Sequence, residues 1–409
     1  MKKLLLVYGH GPDNGGDMAL NYGAIDVLND AGEFEIEVVS RFDITHPAFY
    51  KTKEMLEGRY DNVRLIPYPV GYDRHRQSSL QRLRSYTQGA RLYLPHILYP
   101  ASQENLISCV DRADLIVFNG GNLLFSRGLK EDIRLLGICY PLFLAKKMGK
   151  PYILFPQSMP PTTSYFGQKV LKGLLAGSSH IWLRDFISGE NLRGKFPELR
   201  LENNLDLAFY INKYDDEKAG SIMDTIQCTT KFVAVILRAS TLGDAALLNN
   251  NEIQGLIRFI NELTGCLLER NLKVVFVVQT KMDEKITVDY ISQLNCQQVK
   301  LVKEFDPLVL RAIYSKAEFV VSFRLHACIL ALSAGTKAVA LYREMWGPKM
   351  PGIYQSLGIP GVCLNYEKSR ASDVLSAVDC NHDSLRIIDE RINENRKNLL
   401  SSLRKILTA

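Results

Sequence analysis

Apolar and polar positions alternate along this chain in blocks. Short runs rich in β-branched and aliphatic residues recur at Leu4–Tyr8, Ile36–Val39, Leu115–Phe118, Tyr152–Phe155, Ile181–Leu183, Phe232–Leu237, Val274–Val278 and Ala338–Leu341. Most are apolar at every position, as strands buried on both faces of a parallel sheet must be. Stretches of helical period lie between them, such as the one carrying Ala19, Leu20, Ala24, Val27 and Leu28, and Glu131–Lys147. Strands alternating with helices predict an α/β protein with mostly parallel sheets covered on both faces. Near Asn212–Gln227 the composition turns polar (NKYDDEKAGS), and the alternation restarts at Phe232. The expected organisation is a lobe over 1–212, a linker over 213–230 and a second lobe over 231–382. Residues 383–409 read as a final amphipathic helix, with Leu385, Ile388, Ile392, Leu399, Leu403 and Ile406 on one face, packing back on the first lobe.

The chemically richest junction is Phe319–Tyr342, FVVSFRLHACILALSAGTKAVALY. The strand-like run Phe319–Val321 gives way to Arg324 and His326. Leu325, Cys328, Ile329 and Leu332 then recur at the spacing of a helix with one face on a core, which leaves His326 off that seam. Gly335 ends the helix and Ala338 starts the next strand. Arg324 and His326 thus stand where a parallel strand hands over to a helix N-terminus, the ligand-binding edge of open α/β sheets. The helix end offers N–H groups and partial positive charge, and Arg324 adds a full charge, so an anion is expected there beside an imidazole. A core histidine and an arginine paired with a carboxylate is the competing reading.

Other junctions carry weaker signals. Gly9–Asp17 (GHGPDNGGD) is a glycine-rich turn between strand and helix, but its spacing misses both the dinucleotide fingerprint and the phosphate-loop lysine motif. It reads either as a backbone approach to a ligand or as a tight turn. Asp306-Pro307 predicts a helix start with Asp as N-cap. In Arg74–Arg91, six basic residues interleave with Leu80, Leu83 and Tyr86; this suits docking to an anionic membrane or a lipid diphosphate, and equally a solvated insertion.

With 409 residues, 46% apolar and 23% charged, the chain has the composition of a globular protein. A net charge of +6 suits an anionic substrate and is too small to imply nucleic acid. The eight cysteines show no C-x-x-C, so neither a zinc site nor a disulfide framework is indicated. The apolar start breaks at Gly9, before a signal core could form, and no run approaches membrane-spanning length. These features predict a cytoplasmic protein, with peripheral contact at the inner face of the cytoplasmic membrane if Arg74–Arg91 docks there.

Taken in order, several of these residues resemble the polysaccharide pyruvyl transferases: Asn14-x-Gly16-Asp17-x-Ala19, Gly120-Gly121, Gln157-Ser158 with a following proline, Arg184-Asp185 with Ser188, Asp206-x-Ala208-Phe209, and Ser322-x-Arg324-Leu325-His326-Ala327 ahead of Ala334-Gly335. The resemblance runs from Tyr8 to about Tyr342. It implies a GT-B-like fold, two Rossmann-type lobes with a cleft between them. It also implies an enzyme that moves the pyruvyl group of phosphoenolpyruvate onto two hydroxyls of a sugar, forming a ketal in a surface polysaccharide or its lipid-linked precursor. By the same resemblance His326 is the general acid/base, Arg324 and Arg238 bind the donor, and Asn14, Gly16, Asp17, Gly120, Gly121, Gln157 and Ser158 are acceptor or loop candidates. No metal and no cofactor beyond phosphoenolpyruvate as co-substrate is implied. The sequence departs from the pattern at Pro156 and Pro160, where many members have Gly, and at Lys337, where many have Pro. The lysine usual after the Tyr342 strand is displaced, with Lys349 nearby.

The implied chemistry is coherent. A carboxylate and a phosphate suit two arginines and a helix N-terminus. An imidazole can deliver a proton to the methylene carbon and accept one from an attacking hydroxyl. The helix dipole lowers the pKa of His326 and two bound anions raise it, leaving it protonated with the donor in place. Two alternatives use the same architecture: a nucleotide-sugar-dependent GT-B glycosyltransferase of polysaccharide biosynthesis, and a non-catalytic scaffold of a polysaccharide assembly complex.

Overall fold

In the computed structural model of the chain, which describes every residue except 70–100, 229, 241–246, 295, 348, 381–383 and 409, each paired strand runs parallel to its neighbour. The basic stretch Arg74–Arg91 lies outside the described residues.

Two compact units divide the chain. The first comprises Met1–Pro12, Leu20–Leu207 and Arg396–Ala409; the second comprises Asp13–Ala19 and Ala208–Asn395. The first unit holds a seven-stranded sheet of β1 (Lys2–Gly9), β2 (Phe34–Ser40), β3 (Val63–Ile66), β4 (Leu115–Phe118), β5 (Tyr152–Gln157), β6 (His180–Leu183) and β7 (Leu201–Asn203), in the order 3-2-1-4-5-6-7. The second holds β8 (Phe232–Ile236), β9 (Lys273–Val278), β10 (Val299–Lys303), β11 (Phe319–Ser322), β12 (Ala338–Tyr342) and β13 (Cys363–Asn365), in the order 10-9-8-11-12-13. Both are doubly wound Rossmann-type sheets, with a switch point between β1 and β4 and another between β8 and β11.

The central strands are apolar at almost every position because they are covered on both faces: β4, β5, β8 and β11 are buried throughout. Crossover helices start and stop where local chemistry dictates. Asp306 caps Pro307–Ser315 by accepting from the Leu308 amide at 3.0 Å. Gly335, at φ +77°, turns the chain out of helix Leu325–Ser333, with the Thr336 amide donating to the Ala331 carbonyl at 2.9 Å. The polar stretch after Asn212 contains the helix Asp216–Thr225, capped by Asp215 and burying only Ala219 and Met223, which is why its composition looked like a linker. The final helix, Ser384–Thr408, buries Ile388, Leu399, Leu403 and Leu407. Among the described residues no helix is long and apolar enough to cross a membrane.

Candidate active site

The C-terminal edge of the second sheet gathers most of the reactive side chains, around the switch point between β8 and β11. Arg324 follows β11 and occupies the N-cap position of Leu325–Ser333, where it makes no capping hydrogen bond. Ser322 fixes its backbone, accepting from the Arg324 amide and donating to its carbonyl, both at 2.9 Å. Its guanidinium forks onto Asp283: Nε donates to Oδ2 at 2.7 Å and Nη2 to Oδ1 at 2.9 Å. Nη2 also reaches Ser240 Oγ at 3.1 Å. This planar two-point contact fixes the direction of the guanidinium as well as its charge.

Asp283 was not singled out from the sequence. It closes a single helical turn after β9 (Lys281–Asp283), and its Oδ1 also accepts from the Ala239 amide at 2.9 Å. One buried carboxylate therefore ties the end of β8 to Arg324. The signal was an acid in an apolar strand's exit loop, which many capping residues share.

Arg238, at the exit of β8, is half-buried. Its Nε lies 3.4 Å from Ser240 Oγ, and its Cζ sits 4.6 Å over the Trp346 ring, a cation–π contact. Ser240 thus stands between both arginines across the switch point.

His326 is the second residue of its helix. It lies off the apolar seam, as its spacing predicts, yet it is only 8% exposed, so the expectation of an imidazole away from the buried surface needs correction. Residues 325–332 are all buried, and a helix enclosed on every side has no solvent face to offer. Gly16 forms part of the enclosure. A Cβ built on it would come within 2.4 Å of His326 Nδ1, and one on Gly15 within 2.5 Å of Leu310 Cδ1. These glycines allow backbone to lie directly against the imidazole.

The loop is pinned within the same unit. The Gly15 amide donates to the Gln279 carbonyl at 2.9 Å and the Lys281 amide to the Asp13 carbonyl at 3.0 Å. Asn14 Oδ1 accepts from the Gly16 amide at 3.0 Å and from Thr280 Oγ1 at 3.3 Å. Asn14 therefore caps the helix Gly15–Ala31, and Asp17, half-buried in its first turn, does not have that task.

The remaining candidates assemble at the edge of the first sheet. Gly121, at φ +155°, has the left-handed backbone that favours glycine, and a Cβ on Gly120 would meet Leu207 at 2.9 Å. Gln157 Nε2 donates to the Asn119 carbonyl at 2.6 Å, and the Ser158 amide to the Gly121 carbonyl at 2.8 Å. Ser158 Oγ accepts from Arg184 Nε at 2.8 Å, and Arg184 pairs with Asp206, both side chains fully buried. Asp185 caps Phe186–Lys195 through the Ser188 amide at 2.8 Å. These residues meet, and most of their polar atoms are spent on one another.

Among the described residues no group of three or more His, Cys, Asp or Glu is arranged to hold a metal ion. Burial pushes the thiols of Cys139 and Cys328 up to about 12, so neither is a nucleophile at neutral pH.

Solved structures with similar folds include UDP-GlcNAc 2-epimerase from Methanocaldococcus jannaschii (TM-score 0.57, 11% identity, 100% of this chain and 99% of that one). UGT2 of Phytolacca americana, solved with UDP-2fluoro-glucose and pterostilbene, gives a TM-score of 0.57 at 10% identity over 100% of both chains. At such identities they establish the fold, which is GT-B-like. In sequence, the chain is 20% identical to the amylovoran biosynthesis protein AmsJ of Erwinia amylovora, over 95% of this chain and 94% of that protein. A family model described as "Polysaccharide pyruvyl transferase" matches residues 14–344, a span that begins at Asn14 and takes in Arg238, Asp283, Arg324 and His326. The chain belongs to the polysaccharide pyruvyl transferase family.

Proposed function

We propose that the protein transfers the pyruvyl group of phosphoenolpyruvate onto two hydroxyls of a sugar in a surface polysaccharide or its lipid-linked precursor. The observation carrying this reading is the pair Arg238 and Arg324, which leave adjacent strands at a switch point and share Ser240, with His326 two residues after Arg324 on the same helix start. A donor with a carboxylate and a phosphate matches two guanidiniums and a helix end that no side chain caps.

In this reading Asp283 orients Arg324, and the two arginines and the helix amides neutralise the donor. His326 gives a proton to the methylene carbon of the donor as a sugar hydroxyl attacks C2. Phosphate leaves, and a second hydroxyl closes the ketal with proton transfer through the same imidazole. Asp17, in the first helical turn next to the Gly16 that lies against His326, is the candidate for holding an acceptor hydroxyl.

The test is thermal stabilisation of the purified protein. Phosphoenolpyruvate should raise its Tm, because a ligand binding only the native state stabilises by mass action, and UDP-sugars should do so less. Equal or greater stabilisation by a UDP-sugar would overturn the donor assignment in favour of a nucleotide-sugar glycosyltransferase.

A further inference from the structure

The exposed large apolar side chains of the first unit are not scattered. Among the described residues they are Met1, Ile44, Tyr50, Leu129, Tyr165, Phe166 and Phe186. All but Met1 lie in the connection, or the first turn of helix, that follows a strand of the first sheet: β2, β4, β5 or β6. Because that sheet is parallel, these connections share one edge.

Three of them cluster where two helices begin side by side. Leu129 opens helix Leu129–Lys147, and Tyr165 and Phe166 open helix Tyr165–Leu175. The two starts are tied together: the Thr163 amide donates to the Ser126 carbonyl at 2.9 Å, and Ser164 Oγ to Asp132 Oδ2 at 2.7 Å. Leu129 is 75% exposed, Tyr165 73% and Phe166 48%. Exposed basic residues surround them: Arg127, Lys130, and Lys169, whose Nζ lies 4.6 Å over the Tyr165 ring. The adjacent carboxylates are held by local hydrogen bonds, against three exposed basic side chains. Asp132 is buried and accepts from Ser126 and Ser164, and Glu131 accepts from the Arg127 amide at 2.7 Å. Helix Tyr165–Leu175 contains no acidic residue.

We infer that this patch docks the protein to an anionic lipid bilayer, with Leu129, Tyr165 and Phe166 entering the headgroup boundary and Arg127, Lys130 and Lys169 meeting lipid phosphates. An exposed aliphatic side chain, beside aromatic rings and rimmed by cations, has the composition of an interfacial membrane contact. A carbohydrate surface would need hydrogen-bonding acids and amides, and those nearby are already engaged: Gln168 Nε2, for instance, donates to the Thr162 carbonyl at 3.0 Å. The inference uses no residue of the donor site and holds whichever donor the enzyme takes.

The test is co-sedimentation of the full chain with vesicles of phosphatidylcholine, with and without phosphatidylglycerol. The wild type should bind the anionic vesicles and be released by high salt. The triple variant Leu129→Ser, Tyr165→Ser, Phe166→Ser should bind about tenfold less or weaker, with an unchanged Tm since all three side chains are exposed. Trp182 and Trp346 are buried, so a Leu129→Trp variant adds one interfacial reporter; its emission should shift to the blue on anionic vesicles and be quenched by brominated lipid. A wild type that ignores anionic vesicles, or a triple variant that binds them as well as wild type, would overturn the inference. So would a patch whose substitution abolishes only binding to soluble polysaccharide, or only self-association.

Discussion

The two sheets reach their C-terminal edges with opposite solutions at helix N-caps. After β6, Asp185 occupies a helix N-cap and does what an acid there should, accepting an amide of the first turn. After β11, Arg324 occupies the same position and caps nothing, because a guanidinium has no acceptor. Around Asp185 most polar groups pair with one another, Arg184 with Asp206 and Ser158 and Gln157 with Asn119, although Gln157 Oε1 and Arg184 Nη2 are buried without a hydrogen-bond partner. Around Arg324 a carboxylate fixes the base in place, a second arginine stands nearby, and a glycine loop presses on a histidine. A residue that is wrong for its helix is the mark of an edge shaped by something other than stability.

The comparison breaks first at His326. His326→Gln, which nearly preserves volume in that buried position, should lower phosphate release from phosphoenolpyruvate and acceptor by about 100- to 10,000-fold while donor affinity changes little. Turnover within a few-fold of wild type would move proton transfer to another group, with Asp17 the first to test. Arg184→Ala probes the other edge. Removing the guanidinium that pairs with the fully buried Asp206 carboxylate should cost about 3–5 kcal/mol of stability, seen as a lower urea midpoint, with donor affinity of the folded fraction intact. A change in donor affinity instead would dissolve the distinction between the edges.

Smaller effects sharpen it. Arg324→Ala should weaken phosphoenolpyruvate binding by roughly 10- to 150-fold, the equivalent of losing a charge-assisted contact of about 1.5–3 kcal/mol. Asp283→Asn keeps the shape but loses the charged fork, so titration calorimetry should place it between Arg324→Ala and wild type. Gly16→Ala drives a methyl into the imidazole and should destabilise by about 1–3 kcal/mol, with turnover falling further than stability alone explains. The smallest effect tests what the edges share. In native protein a thiol reagent should modify exposed Cys380 and leave Cys139 and Cys328 untouched, since both are buried and their pKa values are raised to about 12.

Much of this was legible in the sequence because it follows from local pattern. Buried parallel strands are apolar throughout, so β4, β5, β8 and β11 stand out, and Asp306-Pro307 and Gly335 mark helix ends through side-chain and backbone chemistry that needs no tertiary partner. Arg324 and His326 were legible as a pair because a strand exit followed by helical spacing is itself a local signal. Asp283 was not, since its meaning comes from an arginine 41 positions later in the chain. Nor was the burial of His326: periodicity tells which face of a helix points inward, and cannot tell that the opposite face is covered by a glycine loop more than 300 residues upstream.

The division of the chain also bears on how the protein is made. Residues 208–395 lie between two portions of the first unit, whose last portion, Arg396–Ala409, includes the buried Leu399, Leu403 and Leu407. On a ribosome the second lobe therefore emerges complete while the first still waits for its closing segment. The interval between its last two portions, some 190 residues at about 5–20 residues per second, is when its apolar surface is most open to chaperones and to misassembly. Deleting Arg396–Ala409 should for that reason injure the unit that contains Leu20–Leu207.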